Sequence, residues 1–185
     1  MPSIIRGDDN FDTAEAFGGR VLLATLTASA SSSLEFTAFD ATKYHGYEFV
    51  FDEIKTSVDA NVRMRTSADG GSTFDSGVSD YSWWYDANGS TFNDITSDAI
   101  TMHNGQLDTS SNITFCGKAY LSSPDATTNY TQFTGAASSS RAGGSLKNNV
   151  FAGCRNSAAV VNGWQVYPDA GTITSGNVYV YGLVK

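Results

Sequence analysis

The sequence has 185 residues and carries 11 Lys and Arg against 19 Asp and Glu, which gives a formal net charge of −8. The length predicts one domain with a sizeable core, and the acidic balance argues against nucleic acid as a partner, because phosphate binding needs a basic surface. Charged residues at 16% are too few for a coiled coil or a long solvated helix, and aromatic residues at 12% are too many for a disordered chain.

The first 19 residues differ in composition from the rest of the chain. They mix acidic residues with Ile4, Ile5 and Phe11 and end in a Gly-Gly pair. We interpret residues 1–19 as an N-terminal arm that attaches to a partner through these three apolar side chains; the alternative is that the segment only leads into the first strand. It lacks the apolar region of a secretory signal, and no stretch of the sequence approaches the roughly 20 apolar residues of a membrane span.

From residue 20 onward the hydrophobic pattern predicts short β-strands joined by polar turns. The segment 44–55 alternates most regularly, with Tyr47, Phe49 and Phe51 on one face. Residues 73–88 are aromatic and irregular. We predict further strands over 20–28, 34–39, 61–66, 99–103, 112–121, 130–133, 146–153, 160–167 and 177–184.

The pattern of the predicted strands also indicates the fold class. The last strand, 177–184, is apolar on both faces, so both faces are covered, either within the domain or by another subunit. The sequence shows no alternating helices, no heptads and no repeat of 20–50 residues. We therefore expect residues 20–185 to form one all-β domain, an antiparallel two-sheet β-sandwich.

Residues 173–183, with the sequence ITSGNVYVYGL, resemble the closing strand of small jelly-roll domains in bacteriophage virion proteins, such as tail-fibre tips, head fibres and capsid decoration proteins. Residues 47–74, 81–85 and 7–13 are similar to the same group. The resemblance implies a jelly-roll-like β-sandwich that is a structural part of the virion. It also implies assembly in the host cytoplasm without secretion, contacts with other virion proteins, and a symmetric homo-oligomer in which a trimer is favoured.

The aromatic cluster of Tyr81, Trp83, Trp84 and Tyr85 is the strongest local feature of the sequence. So many adjacent rings in a polar loop cannot all point inward, so we expect at least one to be exposed or at an interface. Exposed rings stack on the apolar faces of sugars, which makes the cluster a candidate contact for host surface glycan. The alternative is that the cluster caps the core or packs against another subunit, where Trp and Tyr are enriched.

Residues with catalytic potential form no recognisable pattern. His45 and His103 are distant from any nucleophile elbow, and we expect both at the surface or in turns. Asp52 and Glu53 lie at a predicted strand end, where adjacent side chains face opposite ways and cannot flank one glycosidic bond. We therefore predict no catalytic residue, no metal site and no cofactor.

The two cysteines and the last tryptophan are expected in the interior. Cys116 and Cys154 are interpreted as reduced, buried thiols, with a disulfide between them left open. Trp164 lies in a strand-like segment between valines and is predicted to belong to the core.

These observations predict a non-enzymatic phage virion structural protein, a fibre or decoration component. It would attach to the particle through its arm, self-associate and contact the host surface. The alternative is a lectin-like carbohydrate-binding module that uses exposed aromatic side chains. An enzyme, such as a small polysaccharide depolymerase, is disfavoured because paired acids on one face are not found in the sequence.

Overall fold

The chain is built from β-strands in a computed structural model that describes residues 19–107, 114–140 and 146–185. These described residues contain twelve strands and no helix. The strands are β1 (Arg20–Thr27), β2 (Leu34–Phe36), β3 (Tyr44–Thr56), β4 (Ala60–Ser67), β5 (Tyr81–Ala87), β6 (Ser90–Ser97), β7 (Ile100–Leu107), β8 (Phe115–Ser122), β9 (Gln132–Ser140), β10 (Leu146–Arg155), β11 (Gly163–Pro168) and β12 (Ile173–Val184).

The strands form two antiparallel sheets that pack face to face. The large sheet has the order β1-β12-β3-β8-β9-β10-β5-β6, and the small sheet has the order β2-β11-β4-β7. The predicted all-β, two-sheet sandwich is therefore confirmed. Within the described part of the chain, nothing helical is long and apolar enough to cross a membrane.

Eight of the strands are wound as a jelly roll. The first strand pairs with the last, β1 with β12, and the following pairs are nested inside it: β2 with β11, β3 with β8 and β4 with β7. Pairing of β12 with β3 and of β11 with β4 completes a four-stranded half in each sheet. This nesting is the arrangement of two Greek keys that defines a jelly roll.

The other four strands are two insertions into this jelly roll. β5 and β6 are inserted between β4 and β7, and β9 and β10 between β8 and β11. Together they continue the large sheet beyond β8, and three of them, β5, β9 and β10, contact β7 at the edge of the small sheet. The large sheet thus wraps around that edge and presents a wide outer face.

The core is rich in aromatic side chains because inward positions alternate along the strands. Tyr47, Phe49 and Phe51 are fully or almost fully buried, as predicted. Trp164 is also buried, and its ring stacks on Phe49 with the centroids 4.0 Å apart. The prediction that Trp164 belongs to the core is confirmed.

Tyr81 connects the two sheets through its hydroxyl group. The side chain is fully buried, and its oxygen accepts a hydrogen bond from the backbone N–H of Thr66 in β4 at 2.8 Å. The same hydroxyl donates to the backbone carbonyl of Asp75 at 3.3 Å. Burial raises the pKa of Tyr81 to about 12, so the group is a neutral hydrogen-bonding link at physiological pH.

Several local predictions are wrong. Residues 90–97 form the edge strand β6, which the sequence does not reveal because its side chains are mostly exposed and show no alternation. His103 is fully buried, with its Nε2 2.6 Å from the Ser139 hydroxyl oxygen, because β7 continues to Leu107 instead of ending in a turn. His45 is exposed, as predicted.

Asp52 and Glu53 do not lie at a strand end. They are in the interior of β3, where the register with β8 shifts between Phe51 and Ile54. Glu53 has φ of 52°, in the left-handed region, and its backbone N–H donates to the Cys116 sulfur at 3.4 Å. The two carboxylates therefore belong to a β-bulge.

The predicted arm, with Ile4, Ile5 and Phe11, lies outside the described residues except for Gly19. The Gly19 carbonyl oxygen accepts a hydrogen bond from the Val184 N–H at 2.9 Å. The described sandwich therefore begins beside its own last strand.

Candidate functional site

The outer face of the large sheet, which is turned away from the small sheet, carries three adjoining depressions. We name them by their aromatic residues: the Trp84 cleft over β6, β5, β10 and β9, the Tyr120 cleft over β9, β8, β3 and β12, and the Tyr130 cleft at the β8–β9 connection. Their volumes are about 480, 440 and 470 Å³ respectively. Thr134 lines both the Trp84 and the Tyr120 cleft, and Gln132 lines both the Trp84 and the Tyr130 cleft, so the three are contiguous.

β5 places the predicted aromatic cluster on both faces of the sheet. Tyr81 and Tyr85 point inward and are fully buried, whereas Trp84 is 40% exposed on the outer face. Trp83 is half-buried on the inner face and stacks on Tyr85, with ring centroids 5.4 Å apart and planes 10° from parallel. The expected exposed ring is therefore Trp84. The cluster itself lies in a strand, not in the polar loop that the sequence predicted.

The Trp84 cleft exists because the cross-strand neighbours of Trp84 are small or short. Trp84 is paired with Ala152 in β10 and with Asn93 in β6, and Ala152 is paired with Thr134 in β9. The floor beside the indole is therefore low, and one side of the ring borders open space. Ile95, which is 73% exposed, adds an apolar wall on the β6 side.

The described lining of the Trp84 cleft is mostly apolar with a few neutral polar side chains, on a chain whose net charge is −8. Within the described part of the chain, the side chains of Asn93, Gln132 and Thr134 make no hydrogen bond, and all three are exposed. The Ser82 hydroxyl is already oriented, since it donates to the Asn156 side-chain oxygen at 2.9 Å. The cleft thus offers an aromatic ring beside free neutral donors and acceptors.

Cys154 contributes a protonated thiol to this lining. Burial raises the pKa of the Cys154 thiol, and its sulfur lies 3.6 Å from the side-chain oxygen of Asn156. A protonated thiol is a poor nucleophile. Cys116 and Cys154 are both free, half-buried rather than buried as predicted, and separated by the intervening strand β9.

The Tyr120 cleft has a cluster of charges at its far end. Glu48 forms a short ion pair with Arg20, and its other carboxylate oxygen lies 3.8 Å from the Lys118 ammonium. Arg20 also lies over the ring of Tyr181, 4.3 Å from its centroid. This stacking partly covers the outer face of β12. The sequence predicts such cover, because β12 is apolar on both faces.

The Tyr120 ring lies low on the sheet because residue 46 is a glycine. A Cβ atom at Gly46 would stand only 2.7 Å from the Tyr120 hydroxyl oxygen. The glycine therefore leaves room for the ring to rest over β3, which keeps the space between Tyr120 and Thr134 open.

The Tyr130 cleft is the most polar of the three depressions. Tyr130 is 53% exposed and stands among hydroxyl and amide side chains. The lining comprises Ser122, Ser123, Thr128, Asn129, Tyr130 and Gln132.

The three clefts are suited to binding through stacking and neutral hydrogen bonds. Among the described residues, their lining contains one carboxylate, Glu48, which is already paired with Arg20 and Lys118. Glycoside hydrolysis normally requires two carboxyl groups flanking the bond. Among residues 19–107, 114–140 and 146–185, no group of three or more His, Cys, Asp and Glu could hold a metal ion.

Of the predicted contact residues, Trp83 and Trp84 both line the Trp84 cleft, Trp84 is the exposed ring, and Tyr81 and Tyr85 are buried. Tyr120, Gln132 and Thr134, which complete the surface, were not predicted. They lie far from Trp84 in the sequence and join it only through the pairing order β5-β10-β9-β8. Alternation of inward and outward side chains along β8 and β9 indicates which face of the sheet each residue occupies. It does not indicate which strands lie next to β8 and β9.

No protein-family model matches this chain, and no match is found among the curated proteins or the solved structures.

Proposed function

We propose that this chain is a non-enzymatic binding module that holds a glycan in the Trp84 cleft. The observation that carries the proposal is the exposed Trp84 ring beside the free, neutral side chains of Asn93, Gln132 and Thr134. An indole face stacks on the apolar face of a sugar ring, while amides and hydroxyls bind the sugar hydroxyls. Neutral groups are also desolvated at lower cost than charged ones when the ligand covers them.

The absence of suitable acids in the clefts supports binding without chemistry. Among the described residues, Glu48 is the single carboxylate of the lining, and it is paired with two cations. The general acid of a glycosidase works with a second carboxylate on the other side of the bond. The described lining lacks such a pair, which favours a binding module over a depolymerase.

The setting we propose is a bacteriophage particle, in which the chain is a fibre or decoration component that contacts host surface glycan. Support comes from the resemblance of residues 173–183 to virion jelly rolls, together with the nested pairing of the strands. In this setting the arm, residues 1–19, attaches to other virion proteins, and the Trp84 cleft is presented to the host. Immunogold labelling of intact source particles tests the setting: gold on the particle supports it, and unlabelled particles contradict it.

Self-association is a second role, supported by an exposed leucine on the edge strand of the large sheet. β1 is an edge strand, and its residue Leu22 is 52% exposed beside the half-buried ring of Tyr181 in β12. A symmetric homo-oligomer, with a trimer favoured, would cover this edge. The molar mass from light scattering should exceed that of one chain, and Leu22→Lys should reduce it to one chain.

The glycan proposal is tested with a printed array of bacterial surface glycans. The full chain should be retained on specific glycans, and Trp84→Ala should abolish retention. Val150→Ala is the matched control, because Val150 is exposed on the same face but lines none of the clefts. Retention that is equal in Trp84→Ala and in the unmodified chain would refute the proposed site.

A further inference from the structure

We propose that the glycan is an extended chain that lies across the strands, with a neutral sugar on Trp84 and a later sugar on Tyr120. This inference rests on the proposed glycan binding at the Trp84 cleft. It adds the direction in which the ligand runs, the charge of its first sugar and its minimum length.

The direction follows from the register of four strands. Trp84 is paired with Ala152, Ala152 with Thr134, and Thr134 with Tyr120. Directly paired residues of an antiparallel sheet project from the same face, so these four side chains form one row perpendicular to the strands. The two positions between the aromatic rings carry an alanine and a threonine, which leave a low path from one ring to the other.

The length follows from the spacing of the strands. The row crosses three inter-strand steps of about 4.8 Å each, which separates the backbone positions of Trp84 and Tyr120 by roughly 14 Å. The Tyr120 ring extends from β8 over Gly46 in β3, so its centre lies further along the row than its backbone. A pyranose unit in an extended β-1,4-linked chain of glucose or N-acetylglucosamine advances by nearly the same distance as one strand spacing. With the first sugar on Trp84, the sugar on Tyr120 is therefore the fourth or fifth of such a chain.

The charge follows from the residues along the row. Among the described residues, the lining of the Trp84 cleft has no charged side chain. The charges of the Tyr120 cleft lie beyond Tyr120, where Glu48 is paired with both Arg20 and Lys118 and the Lys118 side chain is 68% exposed. A carboxylated or sulfated sugar between Trp84 and Thr134 would lose its hydration without meeting a cation. The chemistry of this part of the row therefore fits neutral sugars.

A different path leads from the Trp84 cleft to the Tyr130 cleft through Gln132. Tyr130 precedes the start of β9 and does not belong to the paired row. A ligand on that path would bend away from the perpendicular and run toward the end of the sheet. Tyr130→Ala is therefore the matched control for Tyr120→Ala.

The test uses an array of neutral oligosaccharide ladders, with one to eight units of β-1,4-linked glucose and of β-1,4-linked N-acetylglucosamine. Retention of the full chain should rise with length up to four or five units of a retained ladder and change little beyond. Tyr120→Ala should weaken binding of the five-unit oligomer about tenfold, the order expected for one aromatic contact. It should leave binding of the two-unit oligomer unchanged, and Tyr130→Ala should alter neither.

Three outcomes would overturn the inference. The first is that the full chain retains one-unit and five-unit oligomers equally. The second is that Tyr130→Ala removes the length dependence and Tyr120→Ala does not. The third is that the full chain retains no neutral ladder. The proposed function fails separately, when the full chain binds no glycan on the printed array of bacterial surface glycans, which includes charged and branched ones. Melting temperatures of both variants confirm that each is folded.

Discussion

A step of one residue along β5 separates a ring that stabilises the fold from a ring that is free to bind. Trp83 stacks on the buried Tyr85 on the inner face, and Trp84 stands on the outer face beside Ala152. The sequence alone shows four aromatic residues and does not distinguish their roles. The strand that contains them assigns each role by alternation.

Substitution of the two adjacent tryptophans should therefore have opposite consequences. Trp83→Ala should lower the free energy of unfolding by about 2 kcal/mol, below the usual cost for a fully buried Trp because this ring is half-buried. For a domain of this size that corresponds to a melting temperature lower by about 4–8 °C. Trp84→Ala should change the melting temperature little and abolish glycan retention. Calorimetry on both variants separates the two roles, and a large drop for Trp84→Ala would identify this ring as a core cap.

Tyr81 supports a second prediction at the residue scale. Tyr81→Phe removes the acceptor of the Thr66 backbone N–H, which is left buried without a partner. The expected loss of stability is about 1–3 kcal/mol. Urea unfolding measures it, with Tyr130→Phe as a control because Tyr130 is exposed.

Tyr81 should also make the free energy of unfolding depend on pH in the alkaline range. The pKa of Tyr81 is raised from 10.0 to about 12, first of all by burial, so the folded state favours the neutral phenol. This contribution is complete below pH 10 and is lost as the pH rises toward 12, because the unfolded chain releases the proton first. Tyr81→Phe should therefore lose less stability than the unmodified chain between pH 10 and pH 12. If the free energy of unfolding falls equally with pH in both proteins, Tyr81 does not cause the alkaline loss of stability.

At the scale of the elements, alternation predicts strands well where one face is buried. Residues 44–55 were predicted with their inward and outward positions because large aromatic side chains alternate with polar ones. β6 was missed because an edge strand with two exposed faces has no such alternation. The extent of β7, and with it the burial of His103, was missed because Asn104 and Gly105 are typical turn residues that the sheet accommodates within a strand.

The candidate site could be predicted only in part for a related reason. Trp84 belongs to a visible sequence cluster, but Thr134 and Tyr120 reach the same row through strand pairs between β5, β10, β9 and β8. Such pairing depends on the packing of the whole sheet and not on the local sequence.

The floor of the Trp84 cleft provides a test at this scale. Ala152→Leu should fill the space between Trp84 and Thr134 and reduce glycan retention, because a sugar ring could no longer lie against the indole. Stability should change little, since the new side chain points to solvent. Val150→Leu, two residues away on the same face of β10, is the control. Unchanged retention by Ala152→Leu would mean that the glycan does not enter this cleft.

At the scale of the whole molecule, the nested pairs of the jelly roll bring the first strand beside the last. Gly19 and Val184 are hydrogen-bonded where β1 and β12 meet. The two insertions widen the large sheet without interrupting this winding, and the Trp84 cleft lies on the inserted strands, whereas Tyr120 belongs to β8 of the jelly roll.

Deletion of residues 1–18 should therefore leave a folded sandwich. The melting temperature should match that of the full chain, whereas co-sedimentation with particles that lack this protein should be lost. A truncated chain that does not fold would show that the segment is part of the domain, and retained co-sedimentation would show that it is not the attachment arm.

The central claim is that bound glycan covers Trp84. Acrylamide quenching of tryptophan fluorescence measures this directly, because Trp84 is exposed, Trp83 is half-buried and Trp164 is fully buried. When a glycan that the array retains is added, the quenchable emission of the unmodified chain should fall, and Trp84→Phe should show no such change. If the glycan binds and quenching of the unmodified chain is unaltered, the binding site lies elsewhere and the account is contradicted.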